Sequence, residues 1–355
     1  MTKQALSSWL MQADGWYSRG RVTRTINARS GLVYGTYLPD ATTTGILSAP
    51  TTLVTTNQTL SDTGAASEAK TFTNTEFRCT VYLTGKNYTF KNCLFSGPAA
   101  GTTNAMVQAR YATSEGHLFE DCTFAPYTVT YGCIGLQGRG FTASRCNVYG
   151  SVDGIDPAPA DGGTRTDVII QQSYIHDLAR YCPYSGQSDN QTHSDAIQWM
   201  GGLGLTLLGN RIEGLIDTAI GTGWATATYD GSSVLTGGHP YYPNPVSTSA
   251  LMINALGGTI QPGELIMRKN WIRGGTVGIN SVGVTSAFLT SDGVTVIDGN
   301  HIVRDQASGS GGYRWYGKST QACIDNAMSA GTNYAWNTSS PLDNTTVITG
   351  WKVNG

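Results

Sequence analysis

Short apolar segments alternate with polar bends along most of the chain, and one six-residue pattern recurs eight times. An apolar residue is followed by two mostly polar residues, a small residue, any residue and a second apolar residue. The copies begin at Phe72, Phe90, Phe119, Ala143, Ile170, Leu207, Met267 and Ile297. Their small residues are 18, 29, 24, 27, 37, 60 and 30 positions apart. This spacing predicts coils with a fixed strand–turn–strand core and turns of variable length.

A strand-sized segment with one apolar face cannot bury that face alone, so successive coils must stack on each other. Asn at a repeated bend accepts left-handed backbone geometry, and stacked Asn side chains can hydrogen-bond along the column. Cys93, Cys122 and Cys146 would fill equivalent interior sites. Long helical patterns are absent, which disfavours an α/β barrel. We predict an all-β solenoid; an ordinary β-sandwich with coincidental spacing is the alternative.

The repeat also divides the chain into segments. Residues 1–45 precede it and are predicted to cap the first coil or to dock onto another structure, and residues 46–310 form the coils. A long loop is expected near 221–259, and 311–355 is expected to cap the last coil. Caps are needed because an open coil exposes strand edges and core.

Composition excludes several classes of function. Only 13 % of residues are charged and the net charge is −2, so neither a nucleic-acid footprint nor membrane insertion is expected. The N-terminus lacks a secretory signal, which predicts synthesis in the cytoplasm and release by lysis. The cysteines number seven without a CxxC pair, which argues against a zinc site or a disulfide framework and predicts free, mostly buried thiols.

Carboxylates recur at strand starts. Asp153 lies seven residues after Cys146, Asp217 seven after Asn210, and Val277 seven after Asn270. Asp195-Ala196-Ile197 also matches Asp153-Gly154-Ile155 directly. We therefore predict a column of Asp153, Asp195 and Asp217, with the first two about 5 Å apart at the backbone.

Two carboxylates this close cannot both ionise freely, and such a pair suits acid–base cleavage of a glycan. His193 or His176 could orient a carboxylate or transfer a proton. Asp156 and Gln198 share the next outward position and could hold a sugar hydroxyl. One alternative is structural, because Asp before Gly forms turns and caps backbone amides. Another is a calcium site of Asp153, Asp189 and Asp195, although calcium prefers six or more oxygens.

Aromatic residues supply the remaining candidates for sugar binding. Trp199 follows the carboxylate segment, and Trp224, Tyr241 and Tyr242 lie in the long loop near 221–259. Trp and Tyr rings stack on sugar faces and carry a polar edge. The equally weighted alternative is that the loop aromatics pack the loop onto the wall.

Three phrases carry a family resemblance. Thr42-Thr43-Thr44-Gly45-Ile46, Tyr174-Ile175-His176-Asp177 and His193-Ser194-Asp195-Ala196-Ile197-Gln198 resemble a family of right-handed parallel β-helices. It includes phage minor tail and tailspike proteins and actinobacterial secreted proteins. Ser151-Val152-Asp153-Gly154 and Ser194-Asp195-Ala196 are partially similar to polygalacturonase-type enzymes, whose Gly-His-Gly and Arg-Ile-Lys phrases have no counterpart here.

The resemblance implies a single-chain right-handed parallel β-helix with capped ends. It implies a phage tail protein that recognises host envelope polysaccharide, contacts other tail proteins through the N-terminal segment, allows a homotrimer and resides in the virion tail outside the cell. A polysaccharide depolymerase, either hydrolase or lyase, is the alternative, and a secreted bacterial enzyme is its variant. No cofactor or metal is expected apart from the calcium variant.

Overall fold

The computed structural model describes residues 37–63, 70–180, 184–187, 192–214, 235–236, 249–255, 260–275, 277–281, 284, 295–302, 314–317, 333–335 and 352–353. These residues contain thirty strands and no helix, and none of them forms a helix that could cross a membrane. Three parallel sheets follow from the stacking of apolar segments. The predicted all-β parallel β-helix is therefore confirmed.

The chain passes through sheets A, B and C in turn, and each strand pairs in parallel with its counterpart in the next coil. Sheet A contains β1 (Thr52–Val54), β4 (Thr75–Phe77), β7 (Leu94–Phe95), β10 (Thr123–Phe124), β13 (Asn147–Tyr149), β16 (Tyr174–His176), β20 (Arg211–Glu213), β24 (Trp271–Arg273), β27 (His301–Ile302) and β29 (Tyr334–Ala335). Sheet B contains β2 (Gln58–Leu60), β5 (Val81–Leu83), β8 (Ala105–Ala109), β11 (Ile134–Gly138), β14 (Asp153–Pro157), β18 (Ile197–Trp199), β22 (Ser249–Ile253), β25 (Val277–Ser281), β28 (Arg314–Gly317) and β30 (Lys352–Val353). Sheet C contains β3 (Thr71–Thr73), β6 (Thr89–Lys91), β9 (His117–Glu120), β12 (Phe141–Ser144), β15 (Arg165–Gln171), β19 (Gly202–Leu208), β23 (Pro262–Arg268) and β26 (Val296–Asp298). A small antiparallel pair joins β17 (Ala179–Arg180) to β21 (Leu235–Thr236).

The core is a set of columns that run along the helix axis. Phe90 stacks on Phe119 with ring centroids 5.0 Å apart, and Phe95 stacks on Phe124 at 4.8 Å. All four rings are fully buried. Aligned identical side chains fill the interior because every coil brings the same position of the repeat to the same place.

The small position of the repeat forms a hydrogen-bonded ladder. Asn270 Oδ1 accepts from the Asn210 amide at 2.9 Å, and Asn300 Oδ1 accepts from the Asn270 amide at 3.0 Å. Each Asn also donates Nδ2 to a carbonyl of the preceding coil, as Asn270 does to Leu207 at 2.9 Å. The stacked hydrogen bonds were predicted and are confirmed, whereas the left-handed backbone expected at these Asn residues lies one residue earlier. The same column continues through the buried Cys146 and Ser173.

The left-handed bend residue is the one just before the small position. Its φ angle is +52° at Arg145 and +52° at Lys269, and +59° at Gly209. Asn occupies this place at Asn74 and Asn92. The same backbone turn between sheets C and A is therefore made by residues of quite different chemistry.

The described part of the N-terminal segment lies along the side of the coils. The Gly45 amide donates to the Arg145 carbonyl at 2.8 Å, and the Ile46 amide donates to Thr123 Oγ1 at 3.0 Å. Gly45 has a φ of +77°, and a Cβ there would lie 2.7 Å from Cβ of Asn147. Most of the 1–45 segment lies outside the described residues, as do 311–313 and most of 318–355, so both cap assignments stay predictions.

Candidate functional site

The register of sheet B brings two of the predicted acids together. Ile155 pairs with Ile197, and the Gly154 amide donates to the Asp195 carbonyl at 3.0 Å. The Asp195 amide in turn donates to Asp153 Oδ1 at 2.9 Å. Asp153 and Asp195 therefore begin equivalent stretches of adjacent coils, as the match of their sequences predicts.

The next coil contributes Ser249 to this column. The Ser249 amide donates to Asp195 Oδ1 at 2.6 Å, and Leu251 pairs with Ile197. Ser249 pairs onward with Val277, which occupies the predicted register. Asp217 lies outside the described residues, but its predicted place beside Asp195 is taken by Ser249. The strand that pairs with β18 on this side is β22, Ser249–Ile253, so the count of seven from Asn210 did not find the residue beside Asp195.

A third acid, Asp156, stands in an outward row of sheet B. Gln108 pairs with Gln137, Gln137 pairs with Asp156, and Gln198 follows the Ile155–Ile197 pair by one residue. Gln137 Nε2 donates to Asp156 Oδ2 at 3.4 Å. The three glutamines are half-buried, whereas Asp156 is 2 % exposed. We refer to Gln108, Gln137, Asp156 and Gln198 as the amide row.

The three acids resist ionisation. Burial raises the pKa of Asp153 to about 7 and raises the pKa of Asp156 and of Asp195 well above the ordinary value. The charge of Asp153 adds to the pKa rise at both other acids, whereas Arg110 opposes it at Asp156. Asp195 Oδ2 and Asp156 Oδ1 are buried with no hydrogen-bond partner among the described residues. Protonated carboxyls are therefore favoured near neutral pH.

The arrangement has a structural use and a chemical capacity. Asp153 and Asp195 each accept a backbone amide of the following coil, which is the capping role that the sequence left as an alternative. Asp195 is fully buried, so a polymer on the wall does not touch it directly. Asp153 is half-buried and retains exposed surface. A half-buried carboxyl with a pKa of about 7 can donate or accept a proton at neutral pH.

The turns from sheet A to sheet B shape the surroundings of Asp153. Residues 150–152 alone separate β13 from β14, whereas residues 125–133 and 177–196 separate the strands of the coils on either side. Tyr131 and Tyr184 belong to these longer turns, and their rings stack with centroids 5.2 Å apart. Tyr127 is 59 % exposed and Tyr131 48 %. These tyrosines were not among the predicted sugar-binding residues, because no spacing in the sequence connects turns of different length.

The other predicted site residues have different fates. Trp199 was predicted to bind glycan, and this is wrong: the indole is fully buried in the core because it lies on the same inward face as Ile197. His193 is half-buried just before β18. His176 lies on the outer face of sheet A, where its ring stacks on those of Tyr149 and Tyr174. Trp224, Tyr241 and Tyr242 lie outside the described residues.

The described ranges contain no group of three or more His, Cys, Asp or Glu side chains arranged to hold a metal ion. The calcium variant also needs Asp189, which falls outside those ranges. Calcium binding therefore stays a prediction.

Neither a family model nor a curated protein matches this chain. Among solved structures it is similar to the A-module of the mannuronan C-5 epimerase AlgE4 from Azotobacter vinelandii, at 13 % sequence identity and a TM-score of 0.35. The alignment covers 65 % of this chain and 58 % of that chain, which is less than two thirds of the module's length. This likeness concerns the parallel β-helix fold.

Proposed function

We propose that this protein recognises an extracellular polysaccharide along the outer face of sheet B. The amide row carries the proposal, because successive coils present Gln108, Gln137, Asp156 and Gln198 in register. The coils repeat at about 4.8 Å, so the half-buried Gln108, Gln137 and Gln198 form a linear array of amides that both donate and accept hydrogen bonds. The buried Asp156 supports this array through its contact with Gln137. Exposed tyrosines in the adjacent turns add rings that suit the apolar faces of sugars.

The sequence resemblance supports a phage tail as the setting. The partner is then a polysaccharide of the host envelope, the protein acts outside the cell as part of the virion, and other tail proteins contact the N-terminal segment. A homotrimer is compatible with this setting. The single-chain β-helix presents the amide row without a second copy, so recognition at sheet B does not depend on oligomeric state.

The protonation behaviour of Asp153 favours a second candidate, which is cleavage of the bound polysaccharide. Asp153 combines partial exposure with a pKa of about 7, as a general acid requires. Burial accounts for the raised pKa of Asp153, and the hydrogen bond from the Asp195 amide opposes the rise. The enzyme would be a hydrolase or a lyase that uses Asp153 as its proton-transferring group.

The binding experiment uses three immobilised polymers: neutral arabinogalactan, acidic polygalacturonate and cationic chitosan. We expect binding to at least one of them and an affinity loss of about tenfold or more, equivalent to two lost hydrogen bonds, in the double variant Gln137→Ala/Gln198→Ala. Gln171→Ala is the matched control, because Gln171 is also half-buried but lies on sheet C. Absence of binding to all three polymers and to host cell walls would contradict the proposal.

The cleavage experiment incubates the bound polymer with the protein and measures new reducing ends and unsaturated uronic products. Asp153→Asn should abolish release while preserving binding, since Asn keeps the oxygen that accepts the Asp195 amide. Release that persists in Asp153→Asn would remove Asp153 from the mechanism. Binding without release in the unmodified protein would leave recognition as the whole function.

A further inference from the structure

The outer face of sheet A carries a continuous stack of rings next to the site. The Tyr149 ring lies 5.4 Å from the His176 ring, and His176 stacks on Tyr174 with centroids 3.7 Å apart. The Arg211 guanidinium covers the Tyr174 ring at 4.4 Å from its centroid. Three successive strands, β13, β16 and β20, therefore contribute to one stack.

Hydrogen bonds hold this stack rigid from beneath. His176 Nδ1 is 2.7 Å from Asp177 Oδ2, and His176 Nε2 is 2.9 Å from Asn147 Oδ1. Glu213 is 3 % exposed, and its Oε1 accepts from Arg211 Nε at 2.5 Å. The His176 ring is therefore fixed, and Tyr149 stacks on it. A ligand that covers Tyr149 meets a pre-organised surface, so little side-chain entropy is lost on binding.

Two members of this surface remain open to a ligand. Tyr149 is 37 % exposed, and the Asp177 side chain is 63 % exposed. The hydrogen bond from His176 lowers the pKa of Asp177, so its carboxylate is an acceptor at neutral pH. An exposed ring beside a fixed acceptor suits a neutral sugar, whose apolar face can stack while its hydroxyls donate.

The short turn 150–152 places this surface close to the amide row. Tyr149 ends β13, Asp153 begins β14, and only the turn lies between them. The turn is pinned to the next coil, because the Gly150 amide donates to the Asp177 carbonyl at 2.9 Å and the Ala179 amide donates to the Ser151 carbonyl at 2.8 Å. The corresponding turns of the neighbouring coils, residues 125–133 and 177–196, are longer.

We propose that Tyr149 and Asp177 form a second sugar-binding subsite, on sheet A, which the same polysaccharide reaches by passing the corner at residues 150–152. This inference rests on the proposed recognition of polysaccharide at sheet B and names its ligand more closely. The ligand is a chain with neutral sugars, long enough to contact both faces at once. Short oligosaccharides fill the amide row alone, and longer ones gain the contact with Tyr149.

The test uses oligosaccharides of two, four, six and eight sugars prepared from arabinogalactan, the neutral polymer of the three, with affinities measured by calorimetry. Binding confined to polygalacturonate or chitosan would contradict the neutral-sugar ligand. We expect Tyr149→Ala to weaken binding of the longest oligosaccharides by about tenfold and to leave the shortest unchanged, since one stacked ring is lost. Tyr149→Phe should retain the gain with length. Tyr111→Ala is the matched control, because Tyr111 is also 37 % exposed but lies after β8 on the far side of sheet B.

The outcomes separate this inference from the proposed function. If Tyr149→Ala binds every length as the unmodified protein does, or loses the same factor at every length, the sheet A subsite is wrong while recognition at sheet B stands. If the unmodified protein binds none of the polymers, both are wrong. A thermal unfolding curve for each variant shows whether the fold is intact.

Discussion

Asp153, Asp156 and Asp177 show how position decides what one residue type can do. Burial raises the pKa of the first two, whereas the hydrogen bond from His176 lowers the pKa of Asp177. At neutral pH the first two can therefore donate a hydrogen bond, whereas Asp177 accepts one. Of the three, Asp153 and Asp177 are partly exposed, so they are the donor and the acceptor that a sugar can reach.

The raised pKa values make stability depend on pH in a defined direction. The unfolded pKa of an Asp is near 3.8, and that of Asp153 in the folded protein is about 7. The folded state therefore binds more protons between these values, so the free energy of unfolding falls as pH rises from about 4 to 7. Asp153→Asn should flatten this decline by up to about 1 kcal/mol per pH unit, as measured by urea unfolding at pH 5, 6, 7 and 8.

Asp161→Asn is the control for this measurement, because the Asp161 side chain is 94 % exposed. It should leave the slope unchanged. A stability that rises with pH between 5 and 7, or a slope that Asp153→Asn does not alter, would show that these acids ionise freely in the folded protein.

Single residues also mark the limit of sequence reasoning. The match of Asp153-Gly154-Ile155 with Asp195-Ala196-Ile197 was sufficient to align two coils. Trp199 was nevertheless assigned to the surface, although it lies in the core. Gln198 was predicted to point outward, so the alternation of side chains along a strand already placed the next residue, Trp199, on the inward face.

At the scale of elements, the bend from sheet C to sheet A is the most regular feature. Arg145, Lys269 and Gly209 share a left-handed backbone although only glycine adopts it without strain. The non-glycine residues hold this conformation because the strands before and after the bend are fixed by pairing with neighbouring coils. The backbone strain at each non-glycine bend is therefore offset by the hydrogen bonds of the neighbouring small-residue column.

The left-handed bends between sheets C and A predict opposite effects for two substitutions. Gly209→Ala should lower the free energy of unfolding by on the order of 1 kcal/mol, because a Cβ is strained at a φ of +59°. Lys269→Gly should raise it by a few tenths to about 1 kcal/mol, since relief of strain exceeds the added freedom of the unfolded chain. Chemical denaturation measures both. Changes of equal sign would mean that the bend is not strained.

The repeat predicted the strands well because it depends on burial of a fixed apolar pair in each coil. The turns were predicted poorly because their lengths follow no period. Asp217 was placed beside Asp195 by counting from Asn210, and the structure has Ser249 there instead. The stacked Tyr131 and Tyr184 come from turns of different length, so no spacing in the sequence connects them.

At the scale of the whole molecule, interior thiols report on the integrity of the stack. Cys79, Cys93, Cys122, Cys133 and Cys146 are free and at most 1 % exposed, as the sequence predicted. Burial raises the pKa of Cys133 and of Cys146 to about 12, so little thiolate is present at neutral pH. Because all five thiols are buried, their reaction with a reagent in solution requires the coils to separate.

We expect Ellman's reagent to label none of these five cysteines in the folded protein and all five after denaturation. A variant with Cys182→Ser and Cys323→Ser removes the cysteines outside the described residues, so that any label belongs to the five. Rapid labelling of this variant under native conditions would contradict a closed interior. Labelling at the rate of global unfolding would support it.

The connections between sheets A and B differ in length from coil to coil, and this has a consequence for evolution and for protein engineering. Three residues connect β13 to β14 and the whole of 177–196 connects β16 to β18, yet Ile155 and Ile197 keep their pairing. A connection at this corner can thus be inserted, deleted or exchanged without renewed optimisation of the interior. The middle of the 177–196 connection can be diversified in evolution or in the laboratory, whereas its ends must be kept because Leu178, Asp195 and Ala196 are buried parts of the coils.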